Sequence, residues 1–198
     1  MTQSKIGILG SGKLYKLWLD ENPIEHDLYD DTKDYLPNID TCTNQRIYIA
    51  IGNSIYREQF FNKFSDREIT SVKSPNCFIS SSASIGYGYF ISNYSVINSE
   101  SRVGRGLVMG ANSTIDVAAE IGEFVRISPN SYIGDNCNIG SGSIICAGVT
   151  ILPGVHIGKN VYVAAGSVVS HSCGDNLTLA GVPARNVNGN NELHRNRV

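Results

Sequence analysis

The sequence predicts a mainly β protein in which a small Rossmann-like α/β domain precedes a parallel β-helix of hexapeptide repeats. Residues 79–168 divide into fifteen consecutive hexads without an insertion or deletion, and the first residue of every hexad is Ile, Val or Met. Before this stretch, segments typical of strands alternate with segments typical of helices, which indicates a small parallel sheet. The change of period near Pro75 marks the boundary between the two regions.

The six-residue period fits neither a helix nor a two-faced strand. It is typical of a parallel β-helix, in which each hexad forms one short strand and a corner and three hexads close one coil. We expect the first residue to point inward, beside a fifth residue that is mostly small or β-branched, with Tyr89 and Leu107 as the bulky exceptions. Gly recurs at the second or fourth position, where we expect corners with special backbone angles. The alternative, a β-sandwich of short strands, is disfavoured by a period without gaps.

The first region reads as a reduced nucleotide-binding α/β unit. Its predicted elements are strands at 4–10, 26–31 and 46–53, a short helix from residue 14 and a helix at 54–64. The turn Gly10-Ser11-Gly12 after the first strand could present backbone N–H groups to a phosphate at a helix start. It could equally be a tight strand-to-helix turn.

Composition excludes several classes of protein. A net charge of −2 over 198 residues predicts no field for nucleic acid or a membrane surface. The chain lacks a run of 18 apolar residues and a signal-peptide pattern, so we expect a cytoplasmic protein without a transmembrane helix. Five scattered Cys without a C-x-x-C pair predict neither a metal site nor disulfides.

The hexads resemble those of the hexapeptide-repeat acyltransferases, which have a left-handed β-helix. The order of the whole chain, with Ala180-Gly181-Val182-Pro183-Ala184-Arg185 after the last hexad, resembles the sialic acid O-acetyltransferase-like family, which includes N-acetyltransferases of nucleotide-linked 4-amino sugars. The resemblance implies a nucleotide-sugar-binding domain at 1–72, a β-helix acyltransferase domain at 73–170 and a C-terminal cap and tail at 171–198. It also implies acetyl-CoA as donor, no metal, and a homotrimer with sites between subunits.

The resemblance also implies two sets of binding residues. The residues expected at the nucleotide-linked sugar are Gly10, Ser11, Gly12, Lys13, Asp30, Asp31, Gly52 and Asn53. Lys13 could supply a positive charge to a phosphate or be a solvated lysine; the family usually has Gly-Gly-His-Ala where this chain has Ser11-Gly12-Lys13-Leu14. The residues expected at coenzyme A are Ala147, Ala165, Gly166, Gly181, Pro183 and Arg185. Arg185 could pair with a phosphate of coenzyme A or be an exposed surface charge.

The usual catalytic residues of the family are missing. Members place a His, followed by Glu, in a mid-solenoid hexad, and these positions correspond to Val117 and Ala118, which cannot carry a proton. A second family His corresponds to Arg126. We expect the histidines of this chain to be structural or exposed rather than catalytic; they are His26, His156, His171 and His194.

Three possibilities remain for the chemistry. The acceptor could be an amine, which attacks once it has lost its proton to water and tolerates the loss of a general base better than an alcohol does. A carboxylate could substitute, with Asp116 beside the empty position and Asp135 one coil above Val117 at roughly 5 Å, although each could also be a solvated corner carboxylate. The protein could also be an inactive relative that only binds.

The resemblance implies an acyl-CoA-dependent acyltransferase of nucleotide-linked sugars, and the missing His favours N-acetyl transfer to a nucleotide-linked 4-amino sugar in surface-polysaccharide or glycan biosynthesis. The catalytic candidates are Asp116, Asp135 and Arg126. The alternatives are a sugar O-acetyltransferase and a binding protein for nucleotide sugar and acyl-CoA without catalysis.

Overall fold

The computed structural model describes residues 5–21 and 25–188. The chain divides into two compact units, Met1–Val72 and Lys73–Val198. In the part described, neither helix is long and apolar enough to cross a membrane. His194 and the rest of the polar tail lie outside the described residues.

The first unit contains a parallel four-stranded sheet of order β2-β1-β3-β4. The strands are β1 (Ile6–Leu9), β2 (His26–Tyr29), β3 (Arg46–Ile49) and β4 (Glu68–Ile69). The helices are α1 (Lys13–Glu21) and α2 (Ser54–Lys63), with one 3₁₀ turn at Ile39–Thr41. The strands are shorter than predicted because the chain leaves the sheet after Leu9, Tyr29 and Ile49. The Rossmann-like character of this unit stays a prediction.

The second unit is a parallel β-helix with three sheets, whose strands have two residues each except for the last two strands of the eight-stranded sheet. The six-stranded sheet contains β6 (Phe78–Ile79), β9 (Val96–Ile97), β12 (Thr114–Ile115), β15 (Tyr132–Ile133), β18 (Thr150–Ile151) and β21 (Val168–Val169). The five-stranded sheet contains β7 (Ser84–Ile85), β10 (Arg102–Val103), β13 (Glu120–Ile121), β16 (Asn138–Ile139) and β19 (His156–Ile157).

The eight-stranded sheet contains β5 (Val72–Lys73), β8 (Phe90–Ile91), β11 (Val108–Met109), β14 (Arg126–Ile127), β17 (Ile144–Ile145), β20 (Tyr162–Val163), β22 (Thr178–Gly181) and β23 (Ala184–Asn186). Its last two strands form an antiparallel hairpin at the end of the sheet. Within the coils, residues pair with those 18 positions later, as Thr114 does with Tyr132. The predicted coil of three hexads is confirmed.

The interior of the β-helix consists of the first and fifth residues of the hexads, as predicted. From Ile91 onward every first residue is at most 6% exposed, and Ile79 and Ile85 in the first coil are partly buried. The buried serines at the fifth position are satisfied by hydrogen bonds: the hydroxyls of Ser101 and Ser143 donate to the carbonyl oxygens of Asp116 and Gly158 at 2.8 and 2.9 Å. These bonds tie each interior serine to the following corner without leaving a buried polar group unpaired.

The corner glycines serve two different purposes. From Gly88 onward the fourth-position residues have positive φ, as at Gly142 (72°) and also at Ala118 (54°), so the predicted special backbone angles are correct there. Second-position glycines do not have positive φ, and the prediction was wrong for them. They are required by space, because a Cβ on Gly140 would lie 2.4 Å from the carbonyl carbon of Gly158 in the next coil.

Candidate active site

The corner that carries Val117 is open to solvent but has no titratable group of its own. The Val117 side chain is 41% exposed. The backbone carbonyl oxygen of Val117 accepts a hydrogen bond from the N–H of Asn136 at 2.9 Å. The N–H of Ala118 donates to the backbone carbonyl oxygen of Ser99 at 2.9 Å. These contacts fix the corner between the coils on either side. A side chain at position 117 therefore projects from a rigid, accessible corner.

Asp116, immediately before Val117, is held by three hydrogen bonds. Its Oδ1 accepts from Asn98 Nδ2 at 2.8 Å and from the Val117 N–H at 2.9 Å. Its Oδ2 accepts from the hydroxyl of Tyr132 at 2.6 Å. Asn98 lies in the preceding coil and Tyr132 in the strand of the following coil, so three successive coils orient this carboxylate.

The hydrogen bond between Asp116 and Tyr132 shifts the pKa values of the two groups in opposite directions. The hydrogen bond from Tyr132 is the main cause that lowers the pKa of Asp116. Desolvation opposes it, while the bonds from Asn98 and the Val117 N–H and the neighbouring Asp135 side chain add to the lowering. The same bond raises the pKa of Tyr132 to about 12. Near neutral pH the pair is therefore a carboxylate that accepts a hydrogen bond from a protonated phenol.

The structure brings Asp135 to this cluster but leaves Arg126 elsewhere. The Asp135 side chain lies near enough to Asp116 to affect its pKa, and Asp135 stands one coil above Val117. Arg126 lies in β14 of the eight-stranded sheet, whereas Asp116 follows β12 of the six-stranded sheet. No hydrogen bond or ion pair between described side chains joins Arg126 to either carboxylate. The catalytic role of Arg126 stays a prediction.

The described histidines lie away from this cluster. His26 Nε2 and the hydroxyl of Tyr15 share a hydrogen bond of 3.0 Å in the first unit. His171 Nδ1 and the Ser170 hydroxyl lie 2.9 Å apart, and His156 is in β19 of the five-stranded sheet. None of these three bonds to Asp116 in the part of the chain described.

In the first unit, Asp30 fixes the turn that follows β1. The N–H and the hydroxyl of Ser11 both donate to Asp30 Oδ2, at 2.7 and 2.5 Å. The N–H and the hydroxyl of Thr32 both donate to Oδ1, at 2.8 and 2.6 Å. All the in-plane lone pairs of this buried carboxylate are therefore used inside the protein.

The charge of Asp30 is stabilised by these bonds. Burial by itself raises the pKa of this carboxyl, but the hydrogen bonds from Ser11 and Thr32 outweigh burial and hold the pKa at about 2. Asp31 differs, because it is exposed and, among the described residues, its side chain is bonded by the N–H of Ile39, at 2.7 Å. Of the two predicted acidic residues, Asp31 is the one with a carboxylate oxygen open to a ligand.

The other predicted residues of this unit are also of two kinds: some are exposed, and others make hydrogen bonds within the protein. Gly12 and Lys13 are exposed at the start of α1, and a Cβ on Gly12 would meet no atom within 4 Å. Asn53 Oδ1 accepts from the N–H groups of Ile55 and Tyr56 and thereby caps α2. The carbonyl oxygen of Gly52 accepts from the buried guanidinium of Arg57 at 2.9 Å. The open positions therefore cluster at the turn before α1.

The residues predicted to bind coenzyme A lie near the end of the β-helix. Ala147 and Ala165 occupy successive corners, joined by a 2.9 Å bond from the Gly166 N–H to the Ala147 carbonyl, and all three are exposed. A Cβ on Gly166 would meet no atom within 4 Å. Gly181 N–H donates to Ser167 Oγ at 3.1 Å, which joins the hairpin to the last coil. Pro183 and Arg185 are exposed in that hairpin.

Sequence reasoning missed Tyr132 and Asn98. Asn98 stacks 18 residues before Asp116, a relation that the period could have revealed. Tyr132 is a diagonal neighbour, 16 residues after Asp116 and in a strand rather than a corner. The residues described include no group of three or more His, Cys, Asp or Glu placed to hold a metal ion.

Comparisons with known proteins agree with this architecture. The family model described as bacterial transferase hexapeptide (six repeats) matches residues 118–153 and 139–171. PerB from Caulobacter crescentus, solved with CoA and GDP-perosamine, is 22% identical with a TM-score of 0.86 over 92% of this chain and 97% of its own. The fold is a left-handed β-helix. The predicted mainly β, hexapeptide-repeat fold is thereby confirmed.

A second similar structure is the acetyltransferase domain of PglB from Neisseria gonorrhoeae. It is 24% identical with a TM-score of 0.86, over 93% of this chain and 100% of that domain. The same domain has also been solved in complex with acetyl coenzyme A, with a TM-score of 0.83. No curated protein sequence matches this chain significantly.

Proposed function

We propose that this protein is an acetyl-CoA-dependent N-acetyltransferase that acts on the amino group of a nucleotide-linked 4-amino sugar. The observation that carries the proposal is the extent of the structural likeness. It covers 92–93% of this chain and nearly all of PerB and of the PglB domain, so it includes the α/β unit as well as the β-helix. The structures of those two proteins contain CoA with GDP-perosamine and acetyl coenzyme A, respectively.

The exposed residues of the two units support sugar-nucleotide binding by the first unit and coenzyme A binding by the second. In the first unit, Gly12 and Lys13 at the start of α1 would hold the diphosphate, because a helix N-terminus attracts anions. The exposed carboxylate of Asp31 would accept hydrogen bonds from the ribose or base. In the second unit, the small exposed corner residues Ala147 and Ala165 leave room for the pantetheine arm, and Arg185 would pair with a phosphate of coenzyme A.

The acceptor is an amine because the site contains only a weak base. The neutral amine attacks the thioester carbon, a C–N bond forms, and the carbonyl electrons move to oxygen. The nitrogen now carries a positive charge and is far more acidic than a free ammonium group, so a carboxylate of low pKa such as Asp116 can take its proton. An alcohol would need its proton removed during attack, and the loss of a general base typically costs about 10²–10⁴-fold.

We propose a homotrimer located in the cytoplasm. The outward residues of the six-stranded sheet include Phe78, which is 57% exposed, together with Val96 and Val168. The five-stranded sheet presents Arg102 and Glu120 at the corresponding positions, joined by a 2.9 Å ion pair. The six-stranded sheet also presents Thr114, Tyr132 and Thr150. Its uncharged face would pack against another copy, and the charged face would remain in water.

The test is thiol release from acetyl-CoA across nucleotide-linked 4-amino sugars, each beside its 4-hydroxy counterpart. Turnover of an amino sugar only, with a rate that rises with pH as the acceptor loses its proton, is the expected result. Turnover of the hydroxy sugars would instead identify an O-acetyltransferase. Binding of acetyl-CoA without turnover of any acceptor would identify a binding protein.

A further inference from the structure

We infer that Tyr132 is a catalytic residue of this reaction, whose phenolic oxygen receives the proton of the acceptor amine while its own proton passes to Asp116. The inference rests on the proposed N-acetyl transfer. It concerns the residue that replaces the missing histidine, and the geometry points to a side chain one coil away from the vacant position rather than at it.

Three of the four in-plane lone pairs of the Asp116 carboxylate are occupied, and one of these bonds comes from the Tyr132 hydroxyl. Oδ1 is occupied by Asn98 and by the Val117 N–H, and these two bonds prevent the carboxylate from turning. Oδ2 is covered by the Tyr132 hydroxyl at 2.6 Å. A proton that reaches the phenolic oxygen can therefore pass to Asp116 along this short bond, without the loss of any hydrogen bond that holds the carboxylate.

Tyr132 has the free capacity that the relay needs. A phenolic oxygen can donate one hydrogen bond and accept another, and the donated bond goes to Asp116. Tyr132 is partly exposed, in the outward-facing sixth position of its hexad. The other titratable groups that act on Tyr132 are the Asp135 carboxyl and the buried thiol of Cys137. An acceptor beside Val117 can thus reach an oxygen that is already bonded to a carboxylate.

The transfer balances without any further reactant. After the nitrogen has bonded to the thioester carbon, one N–H bond breaks and its electrons return to nitrogen as a lone pair. The released proton bonds to Tyr132 Oη as the phenolic proton moves to Asp116 Oδ2. When the C–S bond breaks, the thiolate of coenzyme A takes a proton back from Asp116 by the same path, which restores the carboxylate and yields amide and thiol.

The experiment is a double-mutant cycle with Tyr132→Phe, Asp116→Asn and the combination, assayed with an amino sugar that the wild-type protein acetylates. If the two residues act as one relay, each single change lowers kcat at least about 10²-fold, as the loss of an acid–base group does. The double variant is then no slower than the slower single variant, because residues that act as a unit are not additive. Acetyl-CoA binding by calorimetry stays within about twofold of wild type in all variants, since only the proton route has changed.

The matched control is Tyr162→Phe, which removes a hydroxyl from the same hexad position in the eight-stranded sheet and should leave kcat unchanged. A Tyr132→Phe enzyme within threefold of wild type would overturn the inference, as would multiplied losses in the double variant. Loss of acetyl-CoA binding in Tyr132→Phe would show a structural role and overturn it as well. A wild-type protein without turnover of any amine would instead refute the proposed function, and the two failures are thus distinguishable.

Discussion

Replacing the buried Asp30 by Asn should destabilise the α/β unit. Asp30 accepts four hydrogen bonds from Ser11 and Thr32. An amide has only one acceptor oxygen, so its NH₂ group would face two of these four donors. The change therefore removes the charge and leaves backbone or hydroxyl donors unpaired in a buried site.

The magnitude follows from the pKa. A carboxyl whose pKa falls from 3.8 to about 2 on folding contributes on the order of 2 kcal/mol at pH 7. Unpaired donors add about 1–3 kcal/mol. Because the folded pKa is the lower one, the charge contribution is complete above pH 4–5, falls to about half at pH 3 and disappears as the pH passes below 2.

Urea unfolding followed by tryptophan fluorescence is the assay, because the only tryptophan of the chain, Trp18, lies in α1. Asp31→Asn is the control; Asp31 is exposed and accepts a single bond from Ile39, so its loss should be below about 1 kcal/mol. The reasoning fails if the two variants lose equal stability at pH 7, or if the deficit of Asp30→Asn is the same at pH 3 as at pH 7.

Three further predictions concern packing and donor binding. Gly140→Ala should lower the free energy of unfolding of the β-helix by about 1–3 kcal/mol or more, because the new Cβ would collide with Gly158. The control is Gly174→Ala, which has open space around it and should leave the melting temperature unchanged. Equal melting temperatures for the two variants would contradict the prediction. Arg57→Met should destabilise the first unit in urea by about 3 kcal/mol, because two backbone carbonyl oxygens lose the buried guanidinium that donates to them. A loss below about 1 kcal/mol would contradict this. Arg185→Ala should raise KM for acetyl-CoA several-fold with kcat unchanged, while Arg102→Ala on the five-stranded sheet has no effect; an unchanged KM would remove Arg185 from the donor site.

The β-helix could be predicted from the sequence because its signal is periodic. The hexads determine which residues point inward, the 18-residue register and the burial of the first and fifth positions. The purpose of the second-position glycines could not be predicted in this way. It depends on the distance between Gly140 and the backbone of the next coil, which is a property of the closed coil and not of a single hexad.

The candidate sites were predicted less completely, for a physical reason in each case. The hexad alignment indicated Asp116, but its partner Tyr132 lies diagonally across a coil, and a period of 18 pairs only directly stacked residues. In the first unit, the acidic pair was found, but which carboxylate is saturated depends on how the loops fold back. Ser11 is 19 residues from Asp30, and only the three-dimensional structure shows that both of its donors reach that carboxylate.

The uninterrupted period also restricts which insertions and deletions the β-helix can accept. Deleting or duplicating 18 residues would leave every later side chain on its own face, whereas six or twelve residues would rotate all later columns to a different face. Asp116, Gly134, Leu152 and Ser170 hold the same hexad position in successive coils, and each coil adds about 4.8 Å. The separation between Asp116 and the closing hairpin can therefore change in evolution only in steps of one coil. The length of an acyl donor that reaches from the hairpin to Asp116 would have to match a whole number of such steps.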